Sequence, residues 1–189
     1  MRRFAIALVH HPVLDAAGTV VTTAVTNLDV HDLSRSARTY GASDYFIAHP
    51  IAAQRELVKR ICDHWEHGSS GKRIPSRKEA LTLVRVVDSL NAALDALGGR
   101  ENVEVWVTAA RDVAPPISWR VARERLESEG KNVVVVFGTG WGLAPEVIAA
   151  ADATLEPVRS MPSENGAEYN HLSVRAACAI ILDRLRGAR

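Results

Sequence analysis

Apolar and polar positions along this chain switch between a strand period and a helical period, and the switches mark its elements. "FAIALVH" (4–10) is a continuous apolar run of strand character. "VHDLSRSARTY" (30–40) follows the helical period, with the turn-forming "TNLD" before it and Gly41 after it as a stop. "DYFIAH" (44–49) predicts a second strand. "PIAAQRELVKRICDHWEHG" (50–68) opens on Pro50 in a first-turn position, ends at Gly68, and sets Leu57, Val58, Ile61, Cys62 and Trp65 on one face. "GSSGKRIPSRK" (68–78) predicts a basic, flexible loop, after which Ser76 and Glu79 make a capping box for another helix. "LVRVVDS" (83–89) fits a helix continuing to Leu97, or a short strand with a new helix start at Asp88-Ser89. We read it as helix, strand, helix.

The second half repeats the alternation. "VEVWVTA" (103–109) is a strand, "PISWRVARERLESEG" (116–130) a helix stopped by Gly130, and "NVVVVF" (132–137) a fully buried strand. "APEVIAAA" (144–151) is a short helix, "ATLEPV" (153–158) a last strand, and "NHLSVRAACAIILDRLRG" (170–187) a C-terminal helix. Strands and helices in this order predict an α/β fold, a mostly parallel sheet with helices on both faces. Without a repeat or linker, residues 1–189 form a single domain. Ligands of such sheets gather at the carboxyl ends of the strands.

Composition narrows the picture little. The 189 residues are 47% hydrophobic and 24% charged with a formal net charge of +1, so nucleic acid would be met through a local patch. No apolar run reaches the roughly 18 residues of a membrane span. "MRRFAIALVHHPV" has the outline of a signal peptide, but its short apolar run and missing cleavage site favour a first strand. Cys62 and Cys178 lie far apart without CxxC spacing, as reduced thiols of a cytoplasmic protein would. His64 and His67 are spaced i, i+3, but no acid or thiol completes a metal site, so no metal is expected.

Three segments carry candidate chemistry. "VVVVFGTGWGLAPE" runs a strand into Gly138, Gly140 and Gly142 and then a helix, where backbone can approach a ligand closely. The spacing is GxGxG rather than the dinucleotide GxGxxG, and no Gly-Lys-Ser/Thr follows for a phosphate loop. A tight turn without a ligand needs fewer glycines and no exposed Trp141. "TNLDVHDLSRSARTYGA" (26–42) crowds Asn27, Asp29, His31, Asp32, Arg35 and Arg38 at a helix start. It suits a solvated helix, although Arg35 and Arg38 are close enough to share a phosphate or orient a substrate. "EPVRSMPSENGAEYNHLSVRAA" (156–177) leads through a polar loop to Asn170, a candidate N-cap of the last helix, whose N–H groups could meet a polar ligand.

These three segments together resemble the SPOUT superfamily of RNA methyltransferases, over essentially the whole chain. The resemblance is closest to the bacterial RNA methyltransferase domain found fused to tRNA (guanine-N1)-methyltransferase. Asn27, Arg35 and Gly41 match the first motif, "VVVVFGTGWGLAPE" the second, and "NHLSVRAA" the third. Trp141 stands where many relatives carry Glu, and His171 where they carry Asn. The resemblance implies a C-terminal trefoil knot, a homodimer, an RNA substrate (tRNA or rRNA, base or ribose), and S-adenosylmethionine held by three loops. The first loop would supply Thr108 and Ala109. The second would supply Phe137, Gly138, Thr139, Gly140, Trp141, Gly142 and Leu143. The third would supply Leu155, Pro157, Val158, Asn170, His171, Leu172 and Ser173. Arg35 is then the expected catalytic residue, acting across the dimer, with His171 and Asn170 contributing. Arg38, Lys72 and Arg73 are expected to meet RNA phosphates. The alternatives are a catalytically silent SAM- or RNA-binding module and a nucleotide-cofactor oxidoreductase.

Overall fold

The computed structural model describes residues 2–160 and 169–188. Eight strands are named in chain order: β1 (Phe4–Val9), β2 (Val13–Leu14), β3 (Val20–Val21), β4 (Asp44–Ala48), β5 (Val84–Val87), β6 (Val103–Val107), β7 (Asn132–Gly138) and β8 (Ala153–Thr154). Six form one sheet in the order β5-β4-β1-β7-β6-β8, with every ladder parallel. The helices are α1 (Asn27–Thr39), α2 (Ala52–His67), α3 (Ser69–Arg73), α4 (Pro75–Leu81), α5 (Leu90–Ala96), α6 (Trp119–Glu127), α7 (Pro145–Ala149) and α8 (Val174–Arg186).

The apolar runs of β1 and β7 need no polar alternation because both faces of the sheet are covered. Successive side chains point to opposite faces. Ile6, Leu8, Val133, Val135 and Phe137 pack with Leu33 of α1, Val58 of α2, Leu126 of α6 and Ile181 and Leu182 of α8. Their neighbours Ala5, Ala7, Val9, Val134 and Val136 pack on the other face with Leu94, Leu97 and Leu143. The expected α/β architecture is therefore observed, and so is the short strand β5. Ser89 caps α5 behind that strand, its hydroxyl accepting from the Ala92 N–H at 3.2 Å.

Several boundaries differ from expectation. "TNLD" starts α1 instead of turning before it, because Thr26 is the N-cap and its hydroxyl accepts the Asp29 N–H at 3.2 Å. Residues 68–78 hold α3 and the start of α4 rather than a flexible loop. Pro75 occupies the first turn of α4, so Ser76 lies inside the helix and does not cap it. The helix expected from residue 116 begins at Trp119. Ile117 is used first, bridging Leu155 in parallel, and Ser118 then caps the helix. The last strand stops at Thr154, apart from that bridge. Ser173, not Asn170, caps α8, and the polar segment 161–168 lies outside the described residues.

The hairpin β2–β3 was not anticipated. Asp15 holds its turn, one carboxylate oxygen accepting the N–H groups of Ala17 and Thr19 at 2.8 Å each, with Gly18 at φ +80°. Both cysteines are free; burial pushes the Cys62 thiol up to about 11 and the Cys178 thiol higher. Among the described residues no helix is long and apolar enough to cross a membrane.

Candidate functional site

The chain lays down β1, β4 and β5 towards one edge, then crosses over to set β7, β6 and β8 on the other side of β1. Strand order thus reverses next to β1, the kind of place where the loops of an open parallel sheet part to admit a ligand. The three expected loops follow β6, β7 and β8, which are neighbours, so they lie side by side at the carboxyl edge.

In the first loop the Thr108 N–H and hydroxyl both donate to the Val136 carbonyl, at 3.1 and 3.0 Å, and Ala109 is half-buried beside it. In the second loop, Phe137 and Leu143 are buried in the protein's own core, so only their backbones can face a ligand. Its conformation is fixed by the hairpin. Leu14 N–H donates to the Gly142 carbonyl at 2.9 Å, Trp141 N–H to the Leu14 carbonyl at 2.9 Å, and Ala144 N–H to the Pro12 carbonyl at 3.2 Å. The Thr139 hydroxyl bonds the Thr23 hydroxyl, which bonds His10 Nδ1 at 3.2 Å.

Two of the glycines have different reasons. At Gly140, φ is +61° and a Cβ would sit 2.6 Å from the Leu14 carbonyl oxygen, so hairpin backbone occupies that space. At Gly142, φ is +112° and nothing lies within 4 Å of a Cβ. The second glycine faces open space, as a backbone cradle for a ligand requires.

The third loop holds Leu155 and Pro157 buried and Val158 packed against the core. Asn170 Nδ2 donates to the Ala110 carbonyl at 2.7 Å, which ties the third loop to the first. His171, Leu172 and Ser173 are exposed, and the His171 ring meets Trp141 of the second loop edge-on, centroids 5.8 Å apart. The structure thus brings Thr108, Ala109, the 137–143 loop and Asn170–Ser173 to one edge of the sheet.

Arg35 is exposed on α1, across a cleft from Ser173 at the end of the third loop. It lines this cleft of about 560 Å³ between α1 and α8 with Asp32, Ser36, Tyr40, Ser173 and Arg175. Under that cleft Arg175 binds two acids of α1, the buried Asp29 at 3.4 Å and Asp32 at 3.6 Å. Arg38 pairs with Glu79 of α4, its Nε 3.1 Å from the carboxylate. Lys72 and Arg73 are exposed on α3. His64 bonds the Ser70 hydroxyl and His67 stands near Asp63 and Glu66. Among the described residues no group of three or more acids, histidines or cysteines could hold a metal.

Sequence reasoning missed the polar core under the glycine loop. His10 and His49 are buried with rings stacked 5.2 Å apart. His49 is held neutral between the Thr23 carbonyl, to which Nε2 donates at 2.9 Å, and the Ile51 N–H, which donates to Nδ1. Among the described residues the buried His10 Nε2 has no hydrogen-bond partner, and burial, reinforced by the neighbouring His49, pushes its pKa down to about 4. The signal was "HHP" at the carboxyl end of the central strand.

Comparisons with known proteins bear on the chain as a whole. The model of a family described as SAM-dependent RNA methyltransferase matches residues 3–187. A tRNA (guanine-N(1)-)-methyltransferase of Nitratidesulfovibrio vulgaris is 42% identical over 96% of this chain, but the match covers only 41% of that relative's length. An uncharacterized protein of Aquifex aeolicus is 36% identical over 95% of the chain and 86% of its own. Among solved structures, a probable methyltransferase from Bordetella pertussis superposes with TM-score 0.63 at 19% identity, over 98% of this chain and 93% of that one. The A. aeolicus TrmH/SpoU tRNA modifying enzyme gives 0.59 at 12%, over 98% and 75%. The strand order, the three adjacent loops and the nearly complete family match agree: this chain belongs to the SAM-dependent RNA methyltransferases.

Proposed function

We propose that this chain transfers a methyl group from S-adenosylmethionine to a base or ribose of RNA, with tRNA to be tried before rRNA because the relatives' names point to tRNA. The observation that carries the reading is the open backbone at Gly142, set among three loops at the point where strand order reverses. The backbone of residues 137–143, Thr108–Ala109 and the 155–158 and 170–173 segments would hold the cofactor. When bound, it supplies an electrophilic methyl on a sulfonium.

The protein's part is then alignment and charge control rather than metal chemistry. Asn170 acts as a positioning residue, since its amide is already spent on the Ala110 carbonyl. His171, exposed at the mouth, is proposed to take the acceptor's proton. Arg35 is proposed to orient the acceptor from a second subunit, because on its own subunit it lines the α1–α8 cleft. The apolar face of α8, which a homodimer could use, is largely spent within the chain. Cys178, Ile181, Leu182 and Leu185 are buried in its own core, while Ala176, Ala179 and Ile180 stay half-exposed for a partner. Lys72 and Arg73 are proposed phosphate contacts; Arg38 would have to exchange Glu79 for a phosphate. The trefoil path belongs to the same proposal, supported by α8 returning to pack on α1, α6 and β7. A cytoplasmic location fits the free thiols.

Arg35→Ala tests this reading with a tritiated methyl donor and total tRNA. Loss of a donor that acts only in the transition state should lower turnover about 100-fold or more with S-adenosylhomocysteine affinity unchanged. Wild-type turnover in the variant would make Arg35 structural. A wild-type protein that does not bind S-adenosylhomocysteine in calorimetry would remove the proposal itself.

A further inference from the structure

The rim of the site carries aromatic surface that the fold does not use. Trp141 is 60% exposed and Tyr169 is 79% exposed, whereas Trp106 is fully buried in the core. The His171 ring stands between the two, 5.8 Å from Trp141 at 77° and 5.2 Å from Tyr169 at 52°. Neither Trp141 nor Tyr169 belongs to either core cluster. Large rings left in water are costly unless something covers them. Trp141 is also held at its backbone, where its N–H is tied to the hairpin at Leu14, so little freedom remains to be lost when a ligand meets its ring.

Resting on the RNA methyltransferase reading above, we propose that Trp141 and Tyr169, spaced by His171, form a platform on which an unpaired nucleobase of the RNA substrate stacks. Unstacked bases are held mainly on aromatic faces, and every base offers such a face. A protein partner would call for a broader aliphatic patch; here the neighbours of the rings include the polar Asn170 and Ser173, with Leu172 between them. The cofactor is served instead by loop backbone at Gly142, which leaves the Trp141 side chain available to RNA.

The test uses the full chain and a 12-nucleotide single-stranded RNA carrying one 2-aminopurine, with Trp141→Ala, Trp141→Phe and Tyr169→Ala variants. The wild type should quench the probe by stacking. Each alanine variant should bind it roughly 5- to 150-fold more weakly, and phenylalanine should restore most of the loss. S-adenosylhomocysteine affinity and thermal midpoint should stay at wild-type values. If cofactor affinity falls with RNA affinity, Trp141 belongs to the cofactor and the platform is refuted. If the alanine variants change sedimentation from dimer to monomer, the rings cover a second copy instead. Unchanged RNA binding in the variants, or no probe binding by the wild type, also overturns the proposal. Normal cofactor binding in those cases would leave the methyltransferase reading standing.

Discussion

The second loop and the 170–173 segment of the third follow β7 and β8, the two strands that flank β6, and face the same opening, yet they are held in opposite ways. The glycine loop is fixed by three backbone hydrogen bonds shared with Pro12 and Leu14, and by a hydroxyl relay that ends on buried His10. The third loop is backbone-laced at its start, where the Leu155 N–H donates to the Val107 carbonyl at 2.9 Å and the Glu156 N–H to the Ile117 carbonyl at 3.2 Å, but its 170–173 segment is tied to the first loop by the Asn170 side chain and touches the second through the His171 ring. Backbone ladders leave little room for adjustment, whereas side-chain ties can be exchanged at a cost of about 1 kcal/mol each. One wall of the site is a fixed template and the other is an adjustable clasp. That division suits a rigid cofactor seat beside a mouth that admits a large substrate.

The largest effect should come from breaking the fixed wall. Gly140→Val places a branched side chain against the Leu14 carbonyl in a left-handed conformation. The hairpin would have to move, with roughly 2–5 kcal/mol of stability lost and cofactor binding abolished. The collision is with the hairpin backbone, so chemical denaturation should register it as clearly as calorimetry. A variant of wild-type stability would show that the hairpin is not the clamp described.

Acid should weaken the same wall next. The pKa of His10 is lowered from 6.5 to about 4, so the unfolded chain binds the proton more readily than the folded one. The stability of the neutral ring is complete above pH 6.5 and is lost as pH falls towards 4, amounting to about 3 kcal/mol for this group. His49, whose pKa burial also lowers, acts in the same direction. Urea midpoints at pH 7 and 4.5 for the wild type and His10→Gln isolate the contribution of this ring. Equal pH slopes in both proteins would exclude His10 as the source.

The smallest effect should fall on the clasp. Asn170→Ala removes the bond to the Ala110 carbonyl and should weaken S-adenosylhomocysteine binding by roughly 2- to 12-fold, with the thermal midpoint nearly unchanged. A drop in stability as large as that of Gly140→Val would erase the distinction between the two walls.

The same contrast explains what could be read from sequence. The buried strands, the Ser89 cap and the glycine turn after β7 were legible because their signals are local: apolar runs, a hydroxyl before a helix, glycines after a strand. The hairpin was not, because its strands are two residues each and their pairing is set by Gly142 and Leu143, far along the chain. The start of α6 was misplaced because Ile117 is claimed by Leu155, a tertiary demand that overrides helical periodicity. Gly140 was singled out as a place of close backbone approach, and the Leu14 carbonyl is one such approach that only the fold reveals. Arg35 was named through the resemblance, and its place in the α1–α8 cleft depends on where α8 returns.

The central position of β1 also bears on how the protein is made. One neighbour, β4, follows soon after it, but the other edge waits for β7, and Arg3 reaches its partner Asn132 across 129 positions of chain. At ribosomal rates of about 5–20 residues per second, that edge stays unpaired for roughly 6–26 s during synthesis. Its apolar strand is bare for all of that time, and contacts so distant in sequence close slowly even in the finished chain. Nascent protein should therefore rely on chaperones until β7 has emerged, and a chain released before Asn132 should aggregate rather than fold as a smaller unit.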